Sequence, residues 1–273
     1  MRPLASAYKA WLFVKRGMLS MLSYRTALVL AIFSGFLSVI QFGLLARFVS
    51  QGNSFPLIEQ YGGNLLAYLV IGSTFTSFVS VALNSYQGAI RSEQQMGTLE
   101  HLLMADLSLS SIMLYSALWN FVNALLNTAL LFLIAVILFD IHLSINLVPT
   151  LFTLLLTVLS LSGIGMISAG IIMVTKQGDP VGWIFTTLTG LLSGVLFPVE
   201  MLPAWLQTAS AVLPTTHALR ALRLTLTRHA EWADIQKELL FLVATLILTL
   251  PCGLLSFKLG LNRARRSGSL AEY

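Results

Sequence analysis

Residues 26–46 form a run of 21 without a single formal charge, fenced by Arg25 and Arg47. A helix of that length rises roughly 30 Å, about the hydrocarbon thickness of a bilayer. Five further uncharged intervals follow, at 60–90, 107–139, 141–175, 180–199 and 239–257, and each can hold a crossing. Only 10% of the 273 residues are charged, whereas a soluble domain carries about a quarter. Such a chain cannot cover itself in water. The expectation is an all-α integral membrane protein with six transmembrane helices lying within residues 26–258.

Residues 201–219 are also free of formal charge but contain Pro203 and Pro214, with Gln207, Ser210 and His217 between and beyond them. Proline removes a backbone donor, and polar side chains are costly in lipid, so this interval is rejected as a crossing. With Pro198, Pro203 and Pro214 each able to open a helix, residues 198–230 are read as short outer helices that enter the leaflet and return. Before the first crossing, Leu4, Tyr8, Trp11, Leu12, Leu19 and Leu22 recur at helical spacing, with Lys9 and Arg16 off the stripe. Residues 1–25 are therefore expected to form an amphipathic helix in the membrane interface, retained rather than cleaved. Residues 259–273 form a basic tail.

Six crossings put both termini on one side. The basic ends, which supply most of the +5 net charge, suit anionic lipid at the cytosolic face and call for no nucleic acid. By parity, the charged island "RSEQQMGTLEHLLMADLS" at residues 91–108 then faces the cytosol. Ser92 with Gln95, or Thr98 after Gly97, can start a short helix there, with Met96, Leu99, Leu102 and Leu103 as its apolar stripe. The single cysteine, Cys252, excludes an intrachain disulfide.

Three segments together resemble the type-two (ABC-2) ABC exporter permeases. They are E-x-x-x-G-T-L-E at Glu93, Gly97, Thr98, Leu99 and Glu100; "FPxxxLPxWL" at Phe197, Pro198, Leu202, Pro203, Trp205 and Leu206; and "LPTTHALRALR" at residues 213–223. The resemblance implies a cytosolic coupling helix over about 92–106, in which Glu93, Gly97, Thr98, Leu99, Glu100, His101, Leu102 and Leu103 meet an ATPase subunit. Relatives often carry a proline just after that helix, where this chain has Ala105-Asp106-Leu107-Ser108. It further implies two copies of the ATPase, a permease homodimer, and a location in the bacterial inner membrane with cytosolic termini. No G-x-x-x-x-G-K-[ST] loop occurs in the chain, so ATP and magnesium belong on the partner and this chain needs no cofactor or metal.

Within the crossings, Ser73, Ser77, Ser80, Asn84 and Gln87 share one helix face, as do Ser116, Asn120, Asn123 and Asn127. Asn84, Gln87, Asn120, Asn123 and Asn127 are candidates for a transport pathway, the alternative being hydrogen bonds between helices. Gly182, Thr186, Gly190 and Gly194 recur at every fourth residue, a small-residue ridge that suits a dimer seam or packing within one subunit. His217, Arg220 and Arg223 are expected on one face of the outer segment, either solvated or meeting an anionic group. An ion-coupled transporter needs ionisable groups within the bilayer, and every charged residue here can be placed outside the six intervals. A membrane protease needs H-E-x-x-H or paired aspartates, whereas Asp140 and Asp179 sit at opposite ends of the fourth crossing. The reading is an exporter subunit, not an enzyme, for a hydrophobic or amphipathic cargo. A lipid-linked glycan, or an ATP-independent channel, is the alternative.

Overall fold

The computed structural model describes residues 2–50, 56–95, 109–139, 141, 143–175 and 179–266. Every regular element among them is a helix. In chain order these are α1 (Arg2–Ser23), α2 (Arg25–Ser50), α3 (Pro56–Glu59), α4 (Leu65–Gln95), α5 (Leu109–Phe139), α6 (Leu147–Thr175) and α7 (Pro180–Leu192). A 3-10 turn at Val199–Met201 follows, and then α8 (Ala204–Val212), α9 (Pro214–Thr227) and α10 (Gln236–Arg266).

Five helices, α2, α4, α5, α6 and α10, are long and apolar enough to cross a membrane. The sixth expected crossing is different. Helix α7 has 13 residues, a rise of about 20 Å, which falls short of a bilayer. It stops because the chain turns at Gly194, whose φ of +79° is open to glycine and strained for other residues. The rejected interval 201–219 is indeed no crossing: Pro203 precedes α8 and Pro214 opens α9. The outer segment is nevertheless not a surface hairpin throughout. Ala218, Leu219, Ala221 and Leu222 on α9 are almost fully buried, and α9 shares the main core with Phe75, Phe78 and Leu83 of α4, Leu161 of α6 and Leu242 of α10.

Backbone-to-backbone contact sets the centre of the bundle. A Cβ on Gly253 of α10 would lie 2.3 Å from the Gly163 carbonyl oxygen of α6, and one on Gly260 would lie 2.4 Å from that of Gly170. Both helices therefore carry glycine seven residues apart, two turns, which lets them touch along a shared line. Ser160 Oγ donates to Leu242 O at 2.9 Å and Thr249 Oγ1 donates to Ser160 O at 2.7 Å, tying the same two helices. On the other side of α6, Gly165 lies against the backbone of Ala82 and Leu83 in α4.

The predicted apolar stripe of α1 is exposed at Tyr8, Trp11, Leu12, Leu19 and Leu22, as an interfacial helix requires. Its opposite face is bound to the bundle. Gly17 abuts the Trp119 ring of α5, and the Phe13 and Tyr115 rings sit 5.5 Å apart.

Helix α4 runs unbroken past Ser92 to Gln95, so Ser92 does not open a new helix. Its 31 residues rise about 46 Å, some three turns more than the bilayer core needs. Helix α10 likewise continues to Arg266, so the expected tail begins as helix.

Candidate functional site

The outer segment converges on Arg223. In place of the expected solvated face, Arg223 is 2% exposed. The two arginines are three positions apart and so share one side of α9, but Arg220 sits at its exposed edge while Arg223 packs under the turn after α7 and against Tyr68 of α4. Arg223 Nη1 donates to Gly194 O at 2.8 Å, and Nη2 donates to Val195 O at 3.1 Å and Tyr68 O at 3.3 Å. Its Cζ lies 3.4 Å from the centroid of the Tyr68 ring and 5.5 Å from that of Tyr61. Tyr68 Oη also donates to Gly194 O, at 2.8 Å. A guanidinium here replaces the helix donors that the turn after α7 lacks, and it suits the negative end of that helix.

Two glycines make room for this arrangement. A Cβ on Gly72 would lie 2.2 Å from Val195 O and 3.2 Å from Arg223 Nη2, and Gly194 supplies the positive φ. Burial pulls the Arg223 guanidinium down to about 10, opposed by the Tyr68 and Tyr61 hydroxyls, so it remains charged at neutral pH. Its Nε is buried without a hydrogen-bond partner. No carboxylate pairs with Arg223 among the described residues.

Hydroxyls fasten the rest of the outer cap. Ser193 Oγ and Thr215 Oγ1 are 2.5 Å apart, Ser210 Oγ donates to Leu192 O at 2.7 Å, and Gln207 Nε2 donates to Leu202 O at 2.8 Å. His217 stacks on Phe241 of α10 with ring centroids 4.0 Å apart, and Arg220 Nε lies 3.6 Å from Glu238 Oε1. Beside these contacts lies a cleft of about 200 Å³ bordered by Tyr61, Tyr68, Glu200, Gln207, His217 and Arg220. Pro198 and Pro214 are buried, while Pro203 and Trp205 are exposed.

The small-residue ridge does not form a continuous helix face, because Gly194 lies beyond the end of α7. Gly182 serves the helix start. Its N–H donates to Asp179 Oδ1 at 2.8 Å, and that carboxylate also accepts from Ser168 Oγ of α6. Thr186 is half-buried, and nothing lies within 4 Å of a Cβ on Gly190.

The polar faces divide as well. Asn120 Nδ2 donates to Ser85 Oγ at 3.4 Å, a bond between α5 and α4. Asn123 is half-buried, and Asn84 and Asn127 are exposed on the single chain. Gln87 lies in α4, but its side chain is outside the described residues, as is that of Ser116. Glu93 belongs to the last turn of α4. Gly97, Thr98, Leu99, Glu100, His101, Leu102 and Leu103 all lie outside the described residues, as does Asp140.

With this layout in hand, known proteins supply a match. A family model described as ABC-2 type transporter matches residues 8–227, well over half of the chain. The chain belongs to the ABC-2 type transporter family. It is similar to the "Probable multidrug ABC transporter permease YbhR" of Escherichia coli strain K12 and of Escherichia coli O157:H7, at 27% identity over 129 residues in each. Those residues are 47% of this chain and 35% of the relative, so the chain aligns with about a third of the length of the curated relatives it matches. Membrane subunits of this family are permeases and not themselves enzymes.

Sequence reasoning named Arg223 but missed Tyr61, Tyr68 and Gly72, which hold it. No local signal marks Tyr68, which sits in an apolar run. The paired glycines Gly163, Gly170, Gly253 and Gly260 were missed as well, although their equal seven-residue spacing in two helices is a signal the sequence carries.

Proposed function

We propose that this chain is the membrane-spanning half of an ATP-driven exporter, acting as a homodimer with two copies of a separate ATPase subunit in a bacterial inner membrane. The observation that carries the reading is the ABC-2 type transporter match over residues 8–227. The composition agrees with it, since the sequence has no phosphate-binding loop of its own. Six crossings are retained, with the short α7 counted as the fifth. A length of α4 beyond the bilayer would carry the island at 96–108 into the cytosol, where Leu99, Leu102 and Leu103 dock in the ATPase. Closure of the two ATPases on nucleotide would then move α4 as a lever. ATP and magnesium would sit wholly on the partner.

The pathway lies between two copies, along the exposed face of α4 that carries Ser77 and Asn84. Ser77 Oγ is satisfied by Ser73 O at 3.4 Å, so that face can be wetted or dry at small cost. Gly190, with open space over it, would face the second copy. The cargo is a hydrophobic or amphipathic molecule such as a drug or lipid, in keeping with the word "multidrug" in the relative's description. The test is ATPase stimulation in a reconstituted complex challenged with drugs, phospholipids and glycan-lipids in turn. Stimulation by drugs or phospholipids supports the cargo class, and stimulation by glycan-lipids alone overturns it.

A further inference from the structure

The groups around the outer cleft fall into two sets. Gln207, Thr216 and Arg223 are committed to bonds within the cap. Three others retain hydrogen-bonding capacity toward the cleft. Tyr61 is 8% exposed, yet its hydroxyl makes no hydrogen bond to the described residues. Burial raises its pKa, so the hydroxyl stays protonated and is a donor. Among the described residues the Glu200 carboxylate accepts one bond, from Gln60 Nε2 to Oε1 at 3.3 Å, which leaves Oε2 open. Among the described residues, Arg220 makes no hydrogen bond beyond its loose approach to Glu238 at 3.6 Å. The Tyr61 hydroxyl opens on the cleft, and the Nε of Arg223, which also lines it, is a buried donor without an acceptor among the described residues; such a donor is costly, and the cleft is where an acceptor can approach.

The charges sharpen what can enter. Arg220 and Glu200 both border the cleft but do not pair with each other, and Arg223 adds a buried cation with no carboxylate partner. A simple anion would meet Glu200, and a simple cation would meet the two arginines. A quaternary ammonium needs open aromatic faces, but Arg223 lies over both tyrosine rings. At about 200 Å³ the space is below the roughly 300–1,000 Å³ typical of drug sites. A head group fits where a whole drug does not. The outer segment also carries the exposed Trp205, a residue type that favours the membrane–water boundary.

We propose that the cleft bordered by Tyr61, Glu200 and Arg220 binds the zwitterionic head of an amine-bearing phospholipid, with its phosphate at Tyr61 and Arg220 and its ammonium at Glu200. The site is some 40 Å along α4 from the cytosolic island. It depends on the chain lying in a bilayer and not on the cargo or on ATP coupling.

The test uses the full chain purified in detergent and titrated, by native mass spectrometry, with phosphatidylethanolamine, phosphatidylcholine and phosphatidylglycerol of matched acyl chains, and with free phosphoethanolamine. Phosphatidylethanolamine saturates one site per chain, and the choline lipid, with no N–H to donate, binds about tenfold more weakly. Tyr61→Phe keeps the ring and weakens phosphatidylethanolamine about tenfold, and Glu200→Gln narrows its advantage over phosphatidylglycerol by a similar factor. Tyr61→Phe keeps the ring that packs beside Tyr68, and Glu200 is exposed, so both variants retain the packing of the cap. Equal affinity for the ethanolamine and choline lipids overturns the proposal, as does indifference to both substitutions. Binding of free phosphoethanolamine as tight as that of the lipid overturns the lipid assignment.

Discussion

Replacing Arg223 by alanine tests how the outer cap is held. The wild-type guanidinium makes three hydrogen bonds to backbone oxygens, at 2.8, 3.1 and 3.3 Å. Of these acceptors, Gly194 O keeps the Tyr68 hydroxyl and Tyr68 O lies within α4, so Val195 O loses most. An orphaned buried carbonyl costs about 1–3 kcal/mol, and hydrogen bonds from a charged donor are worth about 1.5–3 kcal/mol each. Against this, alanine relieves the burial of an unpaired cation, which costs several kcal/mol. It also empties the space over the Tyr68 ring, a further loss. The net expectation is a destabilisation of about 2–4 kcal/mol. Arg223→Lys, which keeps the charge on a single point donor, recovers only part of it. The assay is unfolding in mixed micelles by titration with a denaturing detergent. An alanine variant within about 0.5 kcal/mol of wild type, the range of an ordinary surface change, would show that the guanidinium does not hold the turn.

Gly253→Ala places a methyl 2.3 Å from a backbone oxygen of α6, so it costs about 1–3 kcal/mol in the same assay. Gly190→Leu meets open space and leaves that stability unchanged while weakening self-association on cross-linking; an intact dimer removes Gly190 from the seam. Asp179→Ala removes both the cap of α7 and its link to Ser168, a loss of about 1–2 kcal/mol, which thermal unfolding in detergent would register.

The long helices were legible because the bilayer converts uncharged length directly into a crossing, as residues 26–46 show. The breaks at Pro203 and Pro214 were legible for an equally local reason, the missing N–H. Helix α7 was not, because an uncharged interval does not reveal where a backbone turns; Gly194 was read as one more small residue in a ridge. Arg223 was misread for a related reason. Its helix face depends on where α9 is inserted, and that is fixed by Gly72, Tyr68 and Val195, residues remote in sequence. Fold class followed from composition, whereas the outer cleft required the tertiary structure.

On the proposed function, a separate ATPase drives the chain through the segment beyond α4. The direct measurement is cargo movement in proteoliposomes containing the permease and its ATPase, with wild type compared against Leu99→Asp. ATP-dependent transport should vanish in the variant and in vesicles lacking the ATPase, while the folded permease persists. Transport by the permease alone, or full coupling with Leu99→Asp, would contradict it.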